Sequence, residues 1–209
     1  RLRVFSSQFE EDEIPVKDLF RSYEEMPLLE QKALQLAEGK ILDVGAGSGC
    51  HTLALRKMGK EALAIDISPW SVKVMEARGL TARQVNLFDE RFTERFDTIL
   101  MLMNGSGIIG RLERMGDFFR RIRQLLNPDS SDLRYLFEDE DGSYLVNLAG
   151  NYYGEIDFRM QYKQVKGDSF DWLYVDFDTL SAYAAQCGFR AECIQEGGHY
   201  DYLARLTVT

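Results

Sequence analysis

The sequence predicts an α/β fold: a doubly wound, mostly parallel seven-stranded sheet with an antiparallel C-terminal strand and a small antiparallel β insertion. Three observations carry that prediction. Short strand-like stretches at 41–44, 62–67, 81–85 and 96–103, all but the third mainly apolar, alternate with amphipathic stretches of helical period, as β–α–β units do. Glycines at 45, 47 and 49 follow the first run, where the chain must turn sharply from strand to helix. Residues 98–103 are almost continuously apolar, as a central strand covered on both faces requires.

The 209 residues suffice for one such domain with a substantial core. Hydrophobic residues make up 45% and charged ones 28%, ordinary proportions for a globular protein. No apolar run reaches the ~20 residues of a membrane span, and no signal-peptide pattern opens the chain. Cys50, Cys187 and Cys193 show no metal-ligand spacing, so no metal and a reducing cytoplasm are expected. A net charge of −9 argues against nucleic acid, whose backbone needs a basic face. The basic cluster Arg111, Arg114, Arg120, Arg121 and Arg123 falls at helical spacing beside Glu113 and Asp117 and reads as a solvated helix face. A small molecule is the expected partner, without membrane or nucleic acid; the oligomeric state stays open.

The chain begins at Arg1 rather than Met, so a longer translation product is expected. Residues 10–13 form an acidic lead-in. Apolar positions from Val16 to Leu36 recur at helical period and are interrupted by Pro27, which predicts helices at 16–24 and 27–37, ended by Gly39. Residues 1–38 are assigned as an N-terminal helical lid with Tyr23 or Met26 reaching the ligand; simple packing on the sheet is the alternative. Residues 39–209 form the doubly wound domain.

Ile41 to Val44 is the first strand of that domain, and the helix from Cys50 ends at Gly59. Ala62 to Ile67 is the second strand; Ser68-Pro69 then gives N-cap and N1 signals for a helix closed by Gly79. Thr81 to Val85 is the third strand and Phe96 to Met103 the fourth, followed by a helix from Leu112 to Leu126.

The glycine loop selects the ligand. A dinucleotide loop reads G-x-G-x-x-G, but here the third glycine comes one residue early and Cys50 holds its place. Asp43, two residues before Gly45, would repel a pyrophosphate and suits a ligand carrying an ammonium and a sulfonium. That ligand is S-adenosylmethionine. Asp66, seventeen residues after Gly49 at the tip of the second strand, is placed to accept both ribose hydroxyls. Ile67 beside it can lie against the adenine.

The run Asp43-Val44-Gly45-Ala46-Gly47-Ser48-Gly49 resembles the first motif of the class I, Rossmann-like, S-adenosylmethionine-dependent methyltransferases, here an uncharacterised bacterial subgroup. The resemblance implies cofactor binding by Asp43, Gly45, Ala46, Gly47, Ser48 and Gly49, with His51 at the cofactor's carboxylate end. It places Asn86, in place of the family's usual acid, at the adenine amine, with the backbone of Leu87 at a ring nitrogen. It sets Met103 and Asn104 beside the sulfonium and the acceptor. The implied reaction is in-line methyl transfer to a small-molecule acceptor, releasing S-adenosyl-L-homocysteine. Asn104-Gly105-Ser106-Gly107 is not Asn-Pro-Pro-Tyr, which disfavours exocyclic amines of nucleobases as acceptors.

After Leu126 a fifth strand is due, but Asn127-Pro128-Asp129-Ser130-Ser131-Asp132 leaves no room for one before Asp129. The expectation is that residues are missing between Pro128 and Asp129, with Asp129 and Asp132 at the tip of that strand on the ligand edge. There they either contact the acceptor or form a polar turn with a helix cap. Residues 143–175 read as the β insertion: a strand at Tyr144 to Leu148, then a long hairpin turned at Gly167-Asp168. Its aromatics pack the insertion or line a pocket, and Tyr153 joins Asn104, Asp129 and Asp132 as expected acceptor contacts. A helix from Phe177 to Cys187 and a terminal hairpin around Gly197-Gly198-His199 close the chain. A nicotinamide oxidoreductase, a non-catalytic S-adenosylmethionine-binding protein and an aminopropyl transferase remain as alternatives.

Overall fold

The structure, a computed structural model, describes residues 1–8, 10–128, 152–198 and 201–209, and the backbone alone of 134–140. The main sheet holds β3 (Ile41–Val44), β4 (Ala62–Asp66), β5 (Ala82–Gln84), β6 (Thr98–Met101), β7 (Arg134–Glu140), β10 (Phe189–Glu196) and β11 (Asp201–Val208). A second sheet holds β1 (Leu2–Phe5), β2 (Asp12–Ile14), β8 (Glu155–Tyr162) and β9 (Val165–Leu173). Five α-helices accompany them among the described residues: α1 (Leu28–Leu36), α2 (Cys50–Lys57), α3 (Pro69–Ala77), α4 (Met115–Leu125) and α5 (Phe177–Gln186).

The main sheet runs β10-β11-β7-β6-β3-β4-β5. The pairings from β5 through β4, β3 and β6 to β7 are parallel, and β11 runs antiparallel to both β7 and β10. Strand periodicity decides which helix covers which face. Leu42, Val44, Leu63, Ile65, Ile99 and Met101 bury against α4 and α5. Ile41, Leu100 and Leu203 bury against α1 and α2 on the other face, and Ala64 against α3. The chain order reverses between β4 and β6 on either side of β3, so a crevice opens at the carboxyl ends of these three central strands.

Several expectations need correction. The helix expected at 16–24 is two short 3₁₀ turns, Val16–Phe20 and Tyr23–Glu25, and α1 follows Pro27. The described residues before Pro15 are not helical: β1 pairs with β2 on one side and β8 on the other, so they complete the second sheet. Short acidic strands such as Asp12–Ile14 carry no apolar alternation and are invisible until a partner edge is present. The missing fifth strand is β7, which pairs parallel with β6 at Thr98↔Arg134 through Met101↔Phe137. The sheet therefore needs no omitted residues between Pro128 and Asp129. Asp129 and Asp132 lie outside the described residues, and the strand they were expected to end begins after them. The strand expected at Tyr144 to Leu148, and His199, also lie outside them.

The β8–β9 hairpin turns at Lys163 and Gln164, with Lys163 in the left-handed region, rather than at Gly167-Asp168. Those two residues form a bulge opposite Met160, where the register shifts between Arg159 and Gln161. The hairpin docks on the turn that leaves β6. Its Trp172 indole lies so close to Gly107 that a Cβ there would overlap the ring, and the Ser106 hydroxyl donates to the Leu173 carbonyl. Arg111 bonds both Asp171 carboxylate oxygens, at 3.0 and 2.7 Å.

This close approach is testable. Gly107→Ala should lower unfolding free energy by about 1–3 kcal/mol through overpacking. In a Trp172→Ala background the same change should cost much less, as measured by urea denaturation. Additivity of the two to within ~0.5 kcal/mol would show that they do not share this contact.

Candidate functional site

The site is built at the carboxyl ends of β3 and β4. Gly45 and Ala46 donate to the Ile65 carbonyl at 2.9 and 3.1 Å, which closes the loop against the neighbouring strand. Gly47 then turns with φ +57°, and nothing lies within 4 Å of where its Cβ would be. That opening is backbone accessible to a ligand, which a side chain would fill. Asp66 sits opposite: Oδ2 accepts from Gly47 N at 2.9 Å and Oδ1 from Ser68 N at 2.8 Å. One carboxylate thus ties the glycine loop to the start of α3 and holds its own plane fixed. Ser68 caps α3 from its side chain, as Ser68-Pro69 predicts.

Two apolar side chains stand uncovered at this edge, Ile67 (69% exposed) after β4 and Met103 (36% exposed) after β6. Met103 and Asn104 have φ of +58° and +59°. Asn tolerates the left-handed region, whereas Met there costs roughly 1–2 kcal/mol, so the turn out of the central strand stores strain beside the crevice. Asn86, beyond β5, accepts from Phe88 N through Oδ1 at 2.9 Å, and the Leu87 side chain is buried. Asp66, Ile67, Gly47, Met103 and Asn104 thus border the ends of three adjacent strands, with Asn86 at the end of the next strand outward.

Asp43 and His51 do not join that edge. Asp43 is 1% exposed, and its Oδ2 accepts from the Thr52 hydroxyl at 2.6 Å. On β3 its side chain shares the α1/α2 face with Leu100, beneath the loop rather than above it. His51 is buried, and its Nε2 is 2.7 Å from Glu30 Oε2 on α1; Arg21 bonds the other Glu30 oxygen. Both residues, expected at the cofactor, are buried here under the loop and against α1. Burial pushes the Asp43 carboxyl up, partly offset by His51 and Thr52. Burial opposes charge on His51, but hydrogen bonds to Cys50 and Glu30 and the nearby Asp43 raise its pKa well above the ordinary value. Burial likewise opposes charge on Glu30, and its bonds to His51 and Arg21 outweigh it and lower its pKa.

The segment 16–26 reaches the loop from one side. The Ser48 hydroxyl donates to the Leu19 carbonyl, and Arg78 Nη1 donates to Ser48 O at 2.6 Å. Met26, expected at the ligand, is packed into the α1/α2 core, and the Tyr23 hydroxyl accepts from Gln35 at 2.8 Å. Tyr153 donates to Asp176 Oδ2 at 2.7 Å, as does Tyr152, and Asp176 caps α5 through Thr179 N. Burial and that carboxylate push Tyr152 up to about 12. Near them a cavity of about 500 Å³ is lined by Arg111, Leu112, Glu113, Tyr152, Glu155 and Tyr183. The sequence reading missed Glu30, Thr52 and Arg21. Nothing in their spacing marks them, because their partners lie on other elements.

A SAM-dependent methyltransferase from Bacteroides fragilis, solved in complex with S-adenosyl-L-homocysteine, is 67% identical over all of this chain and 88% of its own, with a TM-score of 0.92. This chain belongs to the S-adenosylmethionine-dependent methyltransferases. The family described as "Methyltransferase domain" matches residues 42–131 of it. An uncharacterized methyltransferase from Staphylococcus carnosus (strain TM300) is 38% identical over 85 residues, so the match spans 40% of this methyltransferase and 40% of that relative. The CcbJ methyltransferase from Streptomyces caelestis shares the fold, with a TM-score of 0.68 at 12% identity over 90% of this chain and 94% of its own. No helix among the described residues is long and apolar enough to cross a membrane.

The buried Glu30–His51 pair gives this methyltransferase a pH-dependent stability. The raised His51 pKa contributes stability that is complete below the unfolded value of 6.5 and is lost as pH rises through the folded value. The lowered Glu30 pKa contributes stability present above 4.5 and lost as pH falls through its folded value. Thermal melts should show a midpoint that declines as pH rises above 6.5, and His51→Gln should flatten that decline. Glu30→Gln should cost about 3–5 kcal/mol at neutral pH, the range for breaking a buried pair. Parallel pH profiles for wild type and His51→Gln would exclude a charged His51.

Proposed function

We propose that this chain binds S-adenosyl-L-methionine in the crevice beside Gly47 and transfers its methyl group to a small-molecule acceptor. The observation that carries the reading is the Asp66 carboxylate facing the open backbone of Gly47 across two adjacent strand ends. Each carboxylate oxygen already takes one backbone N–H and keeps a second lone pair. The carboxylate can therefore accept both ribose hydroxyls without giving up the bonds that orient it.

Ile67 offers an apolar face to the adenine, and burying it there removes exposed hydrocarbon from water. Asn86 Oδ1 retains a lone pair for the adenine amine, and the Leu87 backbone borders the ring. Gly45, Ala46, Ser48 and Gly49 shape the loop, while Asp43 and His51 support it from below. Bound S-adenosylmethionine supplies an electrophilic methyl on a sulfonium and leaves as S-adenosyl-L-homocysteine.

Met103 and Asn104 border the transfer position, held there by a left-handed turn. Tyr153, oriented by Asp176, is the other described acceptor contact; Asp129 and Asp132 complete the set proposed from the sequence. Rate enhancement rests on alignment of donor and acceptor, for which effective molarities of roughly 10⁵ M or more are available. The small sheet β2-β1-β8-β9, docked on the turn after β6, selects the acceptor.

The test is calorimetry with S-adenosylhomocysteine alongside transfer of labelled methyl into a metabolite extract. Asp66→Ala removes two hydrogen bonds to a charged group, each about 1.5–3 kcal/mol. Affinity should fall roughly 100-fold or more, at tenfold per 1.4 kcal/mol, and methyl transfer should fall with it. Unchanged affinity in that variant would sink the assignment, and binding without transfer to any acceptor would leave a binding protein instead.

A further inference from the structure

Arg121 falls in the basic cluster that reads from sequence as a solvated helix face, yet it is only 6% exposed. Its position on α4 explains why: Phe118, Ile122 and Leu125 are buried on the same side of the helix. Its guanidinium points away from the sheet core into the segment beyond β5. Nε donates to Leu87 O at 2.6 Å, and Nη2 donates to Asp89 O at 2.8 Å and Phe92 O at 2.5 Å. Nη1 donates to Gln124 Oε1 at 3.1 Å. The nearby Asp89 carboxylate is taken by Arg91, at 2.9 and 2.8 Å. A buried cation is thus committed to three main-chain carbonyls of a single segment.

That segment is two consecutive turns, closed by Asp89 N to Asn86 O at 2.9 Å and Phe92 N to Asp89 O at 3.0 Å. The carbonyls of Leu87 and Asp89 flank Phe88, whose N–H is the donor to Asn86 Oδ1. Fixing those carbonyls fixes the Phe88 amide. The Phe88 amide in turn determines which end of the Asn86 side chain is oxygen, because a flipped amide would set NH₂ against N–H.

We propose that Arg121 is a positioning residue for base recognition. By clamping the Leu87, Asp89 and Phe92 carbonyls it locks Asn86 with its oxygen as the acceptor, so the site takes a 6-aminopurine and rejects a 6-oxopurine. This rests on Asn86 facing the adenine, as proposed above. With the clamp removed, the Asn86 amide can rotate and donate to a 6-oxo group, and the discrimination is lost.

The test is the affinity ratio for S-adenosylhomocysteine and S-inosylhomocysteine, measured by calorimetry. Wild type should prefer the adenosyl ligand by at least about tenfold, as a built hydrogen-bond site does, and Arg121→Met should narrow that to within about threefold. Arg121→Lys, with one ammonium for three carbonyls, should fall between. Asp66→Ala should weaken both ligands by the same factor and keep the ratio. A merely structural Arg121 would lower the melting temperature and both affinities together, leaving the ratio at the wild-type value, and that outcome overturns the proposal. So does a wild-type protein without preference. If Arg121→Met does not fold, Arg121→Lys decides: a ratio below the wild-type value supports the clamp, and the wild-type ratio overturns it. If Asp66→Ala weakens neither ligand, the assignment of the cofactor crevice fails instead.

Discussion

The Asp66 carboxylate is the joint on which the carboxyl edge of the central strands depends. It terminates β4, accepts from Gly47 in the loop after β3, and accepts from Ser68 at the start of α3. Loop, strand tip and helix entry are thereby held in one relation, and the glycine loop stays open above them. A parallel sheet brings strand ends to a common edge, but it does not by itself fix what lies between them. Here one side chain does, with both oxygens committed to backbone donors and lone pairs left over.

Beneath that joint lies a second, buried layer of charge. Arg21, Glu30 and His51 form a chain from the N-terminal segment through α1 to the first turn of α2, with Asp43 and Thr52 alongside. Buried charges are tolerated only when paired and hydrogen bonded. The cluster therefore couples the position of α1 to that of the helix that opens behind the glycine loop. The Ser48 hydroxyl, bonded to the Leu19 carbonyl, ties the first 3₁₀ turn of the same N-terminal segment to the glycine loop. The N-terminal segment is not a separate helical lid. It is strand, 3₁₀ turn and helix, divided between the second sheet and the flank of the glycine loop.

The second sheet meets the main one through glycines and a ring. Trp172 against Gly107, Ser106 on Leu173 and Arg111 on Asp171 attach it to the turn that follows Met103 and Asn104. The segment expected to border the acceptor is thus shared by both sheets, and the left-handed backbone at Met103 and Asn104 is held from two sides.

Local patterns alone determined the alternation of strand and helix from Ile41 to Leu125, the glycine loop, the Ser68-Pro69 cap and the place of Asp66. Each of these is a relation between residues close in sequence, where period, capping and turn chemistry act directly. The tertiary structure decided what depends on partners distant in sequence. It turned Leu2–Phe5 and Asp12–Ile14 into strands by giving them an edge, supplied β7 beside β6, and made a bulge of Gly167-Asp168 where a turn was expected. It also buried Asp43, His51 and Arg121. The spacing from Phe118 to Arg121 to Leu125 did place that arginine on the apolar stripe of α4, but charge read as exposure because its carbonyl partners lie 29 to 34 residues away, outside the helix. A side chain's type states what it can bond to. Only the packed chain brings the bonding partner within reach.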